Sequence, residues 1–298
     1  MRLDRLFLAA MVFMATAASA QPSNWTLVHD KTAKALQEIV SDVKGASGFV
    51  AIDLTSGEKF AVNENMVFPQ GSAIKIPILM EVHAQATRNK LQVTKRIPVT
   101  AKYQVGGSGI LRTLGDGTSE LSVRDLCVLM ITLSDNTATN MLIDLVGMDN
   151  INATMRGLGL RETKVQRRMI DLEASKRGDE NLSTPAEAAK IMTLLYKGEF
   201  IDRATSDAIL EILKMPKPGA FNAEIPAGVA VAFKPGGIAG VATEWAIVYE
   251  PNRPYVIVAM ENYSVGDEAS VMMKRASRLM YDHFSRLGKS SEFGTYVR

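Results

Sequence analysis

Ser72 and Lys75 stand three residues apart in Gln70-Gly71-Ser72-Ala73-Ile74-Lys75, where an extended run (Asn65-Met66-Val67-Phe68-Pro69) gives way to a helical pattern. Positions i and i+3 of a helix share a face, so the Lys75 amine can lie one turn above Ser72 and reach its Oγ. A serine hydroxyl is a weak nucleophile until a neighbouring base takes its proton. A lysine that is buried, or that has cations around it, loses basicity and can serve as that base. Gly71 permits a tight turn into the helix. The free N–H groups of a helix N-terminus then face any oxyanion formed at Ser72. Alone, the spacing says little, because Ser41 to Lys44 and Ser56 to Lys59 share it, the first in an amphipathic helix pattern and the second in a hairpin turn.

Two later motifs change its weight. Ser134-Asp135-Asn136 lies at a helix end, 62 residues after Ser72, and Lys234-Pro235-Gly236 follows a predicted strand. Taken singly, the first is ordinary helix punctuation, since Ser, Asp and Asn are all favoured at caps. The second reads as a turn, and Lys176-Arg177-Gly178 matches it by accident. Other chemistries lack their residues. His29, His83 and His283 are scattered and make neither H-x-H nor H-E-x-x-H, which argues against a zinc hydrolase and leaves a Ser-His-Asp triad without its histidine. Cys127, the only cysteine, cannot form an intramolecular disulfide and falls on the apolar stripe of a helix, so it reads as core.

The elements that must position these residues follow from periodicity. Trp25 to Lys44 is helical, with Leu36, Ile39, Val40 and Val43 on one face and Gly45 at its end. Phe49 to Leu54 and Lys59 to Val62 read as a hairpin around Thr55-Ser56-Gly57-Glu58. The Ser72 helix follows, with Pro77 expected to distort its first turns. Residues 89–121 read as loop-rich, including Tyr103 and Gly106-Gly107-Ser108-Gly109. Ser122-Val123-Arg124-Asp125 then starts a buried helix like a capping box. A long polar loop spans residues 160–183. Thr184-Pro185-Ala186-Glu187 opens another helix and Asp202 to Leu213 a further one. Strands are expected at Val229 to Phe233, Ala242 to Tyr249 and Tyr255 to Met260, before a closing amphipathic helix with Ala276, Leu279, Met280, Phe284 and Leu287 on its apolar side. The order predicts an α/β (α+β) fold. Its antiparallel sheet, flanked by the terminal helices, is built from about 21–70 and 215–298, and a mostly helical lobe from about 71–214.

With 298 residues and 47% apolar composition the chain can bury a sizeable core in one large domain or two lobes. Its net charge of +2, or about +1 without residues 1–20, and the lack of a Lys/Arg run interleaved with aromatics argue against a nucleic-acid partner. The N-terminus reads as a secretory signal over residues 1–20: Arg2 and Arg5, an apolar stretch from Leu6 to Ala15, and Ala18-Ser19-Ala20 before Gln21. That stretch falls short of the ~20 residues that span a bilayer. The mature chain, from Gln21, is expected to be soluble, without a membrane anchor, monomeric and exported to a bacterial periplasm.

In their order and separation, the three motifs resemble the S-x-x-K, S-D-N and K-T-G signature of class A β-lactamases and their penicillin-binding relatives. The resemblance covers essentially the whole mature chain. It implies that Ser72 attacks the carbonyl of a β-lactam or of a D-alanyl-D-alanine peptide, and that Lys75 helps take its proton. Ser134 would relay a proton to the leaving nitrogen. Asn136 would bind the substrate's side-chain amide, Lys234 would place charge near Ser134 and the substrate carboxylate, and Gly236 would let the strand approach the substrate. The N–H groups of Ser72 and Gly237 would form the oxyanion hole. No metal or organic cofactor is implied.

Three departures stand out. The family carries a deacylating glutamate two residues after a loop arginine. Here Arg167 is followed at that place by Met169, with Asp171 and Glu173 as nearby carboxylates, either replacements or solvated loop charges. Asn181 stands where an aspartate usually pairs with the arginine. Pro235 removes a hydroxyl and a backbone N–H from the K-[TS]-G strand, and Thr243-Glu244-Trp245 on the next strand offers no arginine. Three readings follow. A class A-type β-lactamase leads on segment order. A D-alanyl-D-alanine carboxypeptidase on the same fold is favoured by the missing glutamate. A β-lactam-binding module that acylates without turnover would need a partner domain.

Overall fold

The computed structural model describes residues 24–114, 116–291 and 293–296. The segment read as an export signal lies outside them. Helix α1 (Asn24–Ser41) leads into the hairpin β1 (Ala46–Asp53) and β2 (Lys59–Val62), then a short β3 (Phe68–Pro69). A 3-10 turn at Gly71–Ile74 carries Ser72 straight into α2 (Lys75–Thr87). A ribbon of β4 (Arg96–Thr100) and β5 (Asp116–Ser122) follows, and then α3 (Val123–Thr132), α4 (Asn136–Val146) and α5 (Met148–Gly157). After α6 (Leu172–Lys176) and β6 (Leu182–Ser183) come α7 (Pro185–Lys197) and α8 (Arg203–Lys214). Strands β7 (Val231–Ile238), β8 (Val241–Val248) and β9 (Tyr255–Asn262) and helix α9 (Glu268–Gly288) complete the order.

The main sheet is antiparallel, in the order β2-β1-β9-β8-β7, and so draws strands from both ends of the sequence. Its central strands are apolar on both faces, and the period of two sorts them. Val256, Val258 and Met260 of β9, with Trp245 and Ile247 of β8, join the core shared with α2–α5, α7 and α8. Tyr255, Ile257, Ala259, Ala246 and Val248 face the other way, against α1 and α9. On β7 the same alternation sends Phe233 to the terminal helices and Ala232 to the helical core. Lys234 and Gly236, an even number of residues from Ala232, point toward the helical side.

Several boundaries differ from the sequence reading. Lys234-Pro235-Gly236 is no turn after a strand; it lies inside β7, which runs on to Ile238. Pro235 is accommodated because β7 is the sheet edge. Pro77 is the third residue of α2, in the first α turn after the 3-10 turn at Gly71–Ile74, a position where its missing N–H costs little. The stretch at 89–121 contains the β4–β5 ribbon, whose register shifts between Pro98 and Thr100 and whose strands pair only with each other. The caps fell where the sequence put them. Ser122 and Asp125 form a reciprocal capping box on α3, and Thr184 caps α7 by accepting from Glu187 N.

Candidate active site

The Ser72 turn is held on the end of the sheet by close backbone packing. Gly71 has φ +49°, and a Cβ there would lie 2.8 Å from Gly237 N. A Cβ on Gly236 would lie 2.6 Å from Ala73 N and closer still to Gln70 O. Two glycines thus bring the 3-10 turn and edge strand β7 together at a distance no side chain permits. Gln70, fully buried, fixes the turn from behind. Its Oε1 accepts from Trp245 Nε1 at 3.0 Å, its backbone oxygen from Thr243 Oγ1 at 2.8 Å, and its Nε2 donates to Phe68 O at 2.8 Å. Sequence reasoning assigned Gln70, Thr243 and Trp245 no role. The alternation that aims Thr243 and Trp245 at one face of β8 is the signal that could have found them.

The structure brings Lys75, Ser134, Asn136 and Lys234 into one hydrogen-bonded cluster. Lys75 Nζ donates to Ser134 O (2.8 Å), Ser134 Oγ (3.0 Å) and Asn136 Oδ1 (2.9 Å). Lys234 Nζ reaches Ser134 Oγ at 3.2 Å and Pro235 O at 2.8 Å. Among the described residues Ser72 Oγ has no hydrogen-bond partner. The direct Ser72–Lys75 contact expected from i, i+3 spacing is therefore not made, because three acceptors from the α3–α4 junction take the amine. Gly237 is exposed beside Gly71, its N against the Ser72 turn.

Burial, and then the Lys234 ammonium, hold the Lys75 amine well below the usual lysine range, against Asp135, which raises it. Lys234 is pushed down to about 7 by burial and by Lys217, with Glu244 pulling the other way. Two amines that give up protons readily thus flank one hydroxyl, and such a trio can move a proton over a short path. Asp135 sits between the site residues but does structural work. Its Oδ1 caps α4 through Ala138 N, and its Oδ2 accepts from Ile110 N (2.7 Å) and Leu111 N (2.9 Å). The glycine-rich loop packs against the same corner, where a Cβ on Gly107 would lie 2.7 Å from Asn136 Nδ2.

The long loop keeps its carboxylates away from this cluster. Met169 is only 7% exposed and belongs to the helical core. Its N donates to Asn140 Oδ1 at 2.8 Å, and its O accepts from Asn140 Nδ2 at 3.1 Å. Asp171 caps α6 through Ala174 N, and exposed Glu173 pairs with Lys176. Neither contacts Ser72, Lys75, Ser134 or Asn136. Arg167 retains a carboxylate, but it is Glu180, at 2.8 Å. Asn181 instead accepts from Gln166 N and Arg167 N, using an amide where the family has a charge. Among the described residues no group of three His, Cys, Asp or Glu is placed to hold a metal ion.

Residues 31–284 match the model of the Beta-lactamase enzyme family. An imipenem-hydrolyzing beta-lactamase of Enterobacter cloacae is 26% identical over 269 residues, 83% of this chain and 88% of the relative. A beta-lactamase of Nocardia asteroides is 28% identical over 93% of this chain and 94% of its own. The crystal structure of a beta-lactamase from Sphaerobacter thermophilus superposes with TM-score 0.77 at 28% identity, covering 85% of this chain and 96% of that one. A mutant of PBP-A, solved as an acyl-enzyme complex with penicillin G, gives 0.79 at 26%, covering 86% and 96%.

Proposed function

The chain belongs to the beta-lactamase enzyme family, as a class A member, and from that premise we propose that it is an exported serine hydrolase that opens the β-lactam amide through an acyl-enzyme on Ser72. The observation that carries this reading is the depleted Lys75 amine, bonded to the Ser134 hydroxyl that Lys234 also touches. Ser72 Oγ attacks the lactam carbonyl while its proton passes to Lys75 in its amine form, reached when Lys75 gives up one of the three protons it donates to Ser134 and Asn136. That contact tightens when substrate arrives, as catalytic hydrogen bonds commonly do. Ser134 then gives a proton to the lactam nitrogen as the C–N bond breaks and is reprotonated from Lys75. The product is an ester on Ser72, and water must cleave it to release the opened acid. The N–H groups of Ser72 and Gly237 stabilise the oxyanion in both steps. The Lys234 ammonium receives the substrate carboxylate, Gly236 lets the substrate lie along β7, and Asn136 holds the side-chain amide.

Release of the ester is the slow step in this reading. With Met169 in the core, and Asp171 and Glu173 committed elsewhere, no loop carboxylate activates the water. A general base contributes ~10²–10⁴ in rate, about 3–5 kcal/mol of barrier. The same observation supports a second reading, a D-alanyl-D-alanine peptidase that β-lactams block. Intact-mass spectrometry of the mature protein with excess benzylpenicillin separates them. An adduct that is absent in Ser72→Ala and clears as antibiotic is consumed supports the lactamase. A persistent adduct supports the peptidase, and labelling of Ser72→Ala removes Ser72 as the nucleophile.

A further inference from the structure

Ile170, on the long loop, has φ +63°. A β-branched side chain at such an angle is a backbone outlier, where glycine would sit without strain. Burial does not account for the isoleucine, which is 43% exposed. The backbone on either side is fixed. Asn140 clamps Met169 before it. After it, Asp171 N bonds Arg168 O at 3.4 Å and the Asp171 carboxylate caps α6. Strain of this kind persists only where its surroundings over-determine it, and it directs attention to what the side chain does.

That side chain meets the glycine-rich loop beside the catalytic cluster. A Cβ on Gly107 would lie 3.3 Å from Ile170 Cδ1 and 2.7 Å from Asn136 Nδ2, so Gly107 stands between the two. Helix α4 brings them together. Asn136 and Asn140 are four residues apart and share a face, and the first holds the glycine-rich loop while the second holds the long loop. Asn136 N donates to Ser108 O at 3.1 Å, and its Nδ2 to Gly106 O at 3.1 Å. Its Oδ1 accepts from Lys75 Nζ. One N–H of the Asn136 amide is thereby committed, and an amide carries two. The position of Gly107, against Nδ2, decides whether the second can reach a substrate. We propose that Ile170 is a positioning residue that acts through Asn136. By bearing on Gly107 it holds the glycine-rich loop where the Asn136 amide can take the amide of an acyl side chain, and so it sets the preference for substrates that carry one. A merely structural Ile170 would alter stability and affect all substrates alike.

The kinetic consequence rests on the acyl transfer proposed at Ser72; the contact between the two loops does not. In the whole mature protein, intact-mass spectrometry gives the rates of acylation by benzylpenicillin and by aminopenicillanic acid, the same bicyclic lactam without the acyl side chain. Ile170→Gly suits the backbone angle and removes the contact. It is expected to lower the ratio of the two rates by about tenfold, the worth of one hydrogen bond to the side-chain amide, and Ile170→Leu to keep most of it. Two amides bond the glycine-rich loop to the start of α4: Val105 N to Thr137 Oγ1 at 3.3 Å, and Asn136 N to Ser108 O. In Ile170→Gly both should lose protection from hydrogen exchange. An unchanged ratio, or unchanged protection at these amides, would overturn the proposal, and Ile170→Ala decides if Ile170→Gly does not fold. Failure of either compound to label the unsubstituted protein would count against Ser72 chemistry, and hydrogen exchange then decides whether Ile170 holds the loop.

Discussion

Ser134 has a φ of +52°, a conformation that non-glycine side chains seldom adopt. It ends α3, turns the Ser134 carbonyl to Lys75 and leaves the hydroxyl between two amines. Such strain persists only where surrounding bonds over-determine it, and here Asp135 N, bonded to Leu129 O, and the Asp135 cap on α4 supply them. Met169 is the contrasting case, an apolar side chain where the family keeps an acid. Because Asn140 clamps its backbone on both sides, replacement changes the side chain rather than the path of the loop. Met169→Glu is expected to shorten the life of the penicillin adduct by ~10² or more, at about 1–3 kcal/mol of stability for burying a polar group. Adduct decay by mass spectrometry, after free antibiotic is removed, is the check. An unchanged lifetime would place the block to deacylation outside position 169.

The 3-10 turn and strand β7 meet on glycine, and the register of that seam sets where Ser72 stands relative to Lys234. Gly236→Ala forces a methyl group against Gln70 O and Ala73 N, backbone atoms that cannot rotate away. The turn must then move off the strand. A displacement of ~1 Å costs about 10²-fold in rate, so acylation by a fluorescent penicillin should fall by at least that factor. Wild-type acylation in this variant would mean that the seam is dispensable. The long loop is held by a different distribution of the same forces. Arg167 finds Glu180, while the Asn181 amide ties the chain just ahead of β6 to the backbone of residues 166 and 167, accepting from Gln166 N and Arg167 N and donating to Arg167 O.

Across the whole molecule, two of the three histidines prove to be close together. His29 of α1 and His283 of α9 both meet Glu58, in the β1–β2 turn, at 2.6 and 3.4 Å, and Thr32 Oγ1 lies 2.9 Å from His283 Nδ1. Three elements distant in sequence are thereby tied at the outer face of the sheet. Burial raises the Glu58 carboxyl, but the hydrogen bonds from His283 and His29 outweigh it and leave it below the usual 4.5. A carboxyl lowered in the folded state stabilises above its unfolded value and loses that contribution as pH falls through the folded value. Thermal stability should therefore decline below about pH 4.5. Glu58→Gln should lower Tm at pH 7 by roughly 4–8 °C, for about 2 kcal/mol of charged hydrogen bonding, and should flatten that acid slope. Parallel acid slopes in melting curves of both proteins would rule Glu58 out as their source.

Ser72, Lys75, Ser134 and Lys234 are joined as a set by the resemblance of their three motifs to a family signature, whereas local pattern is enough to read the caps at Ser122 and Thr184, the strands and the terminal helices. Each depends on residue type at short spacing, and short-range sterics and hydrogen bonds act there directly. The β4–β5 ribbon escaped because its strands carry Pro98 and glycine and pair only with each other. Tertiary structure alone decided that Lys75 bonds Ser134 and Asn136 instead of Ser72, that Arg167 takes Glu180, and that Ile170 meets Gly107 beside Asn136. Those choices depend on which face of a strand or helix end meets another element, dozens of residues away. Spacing along a chain constrains only the near neighbours, whereas the desolvation and charge that set this site come from groups brought in by packing.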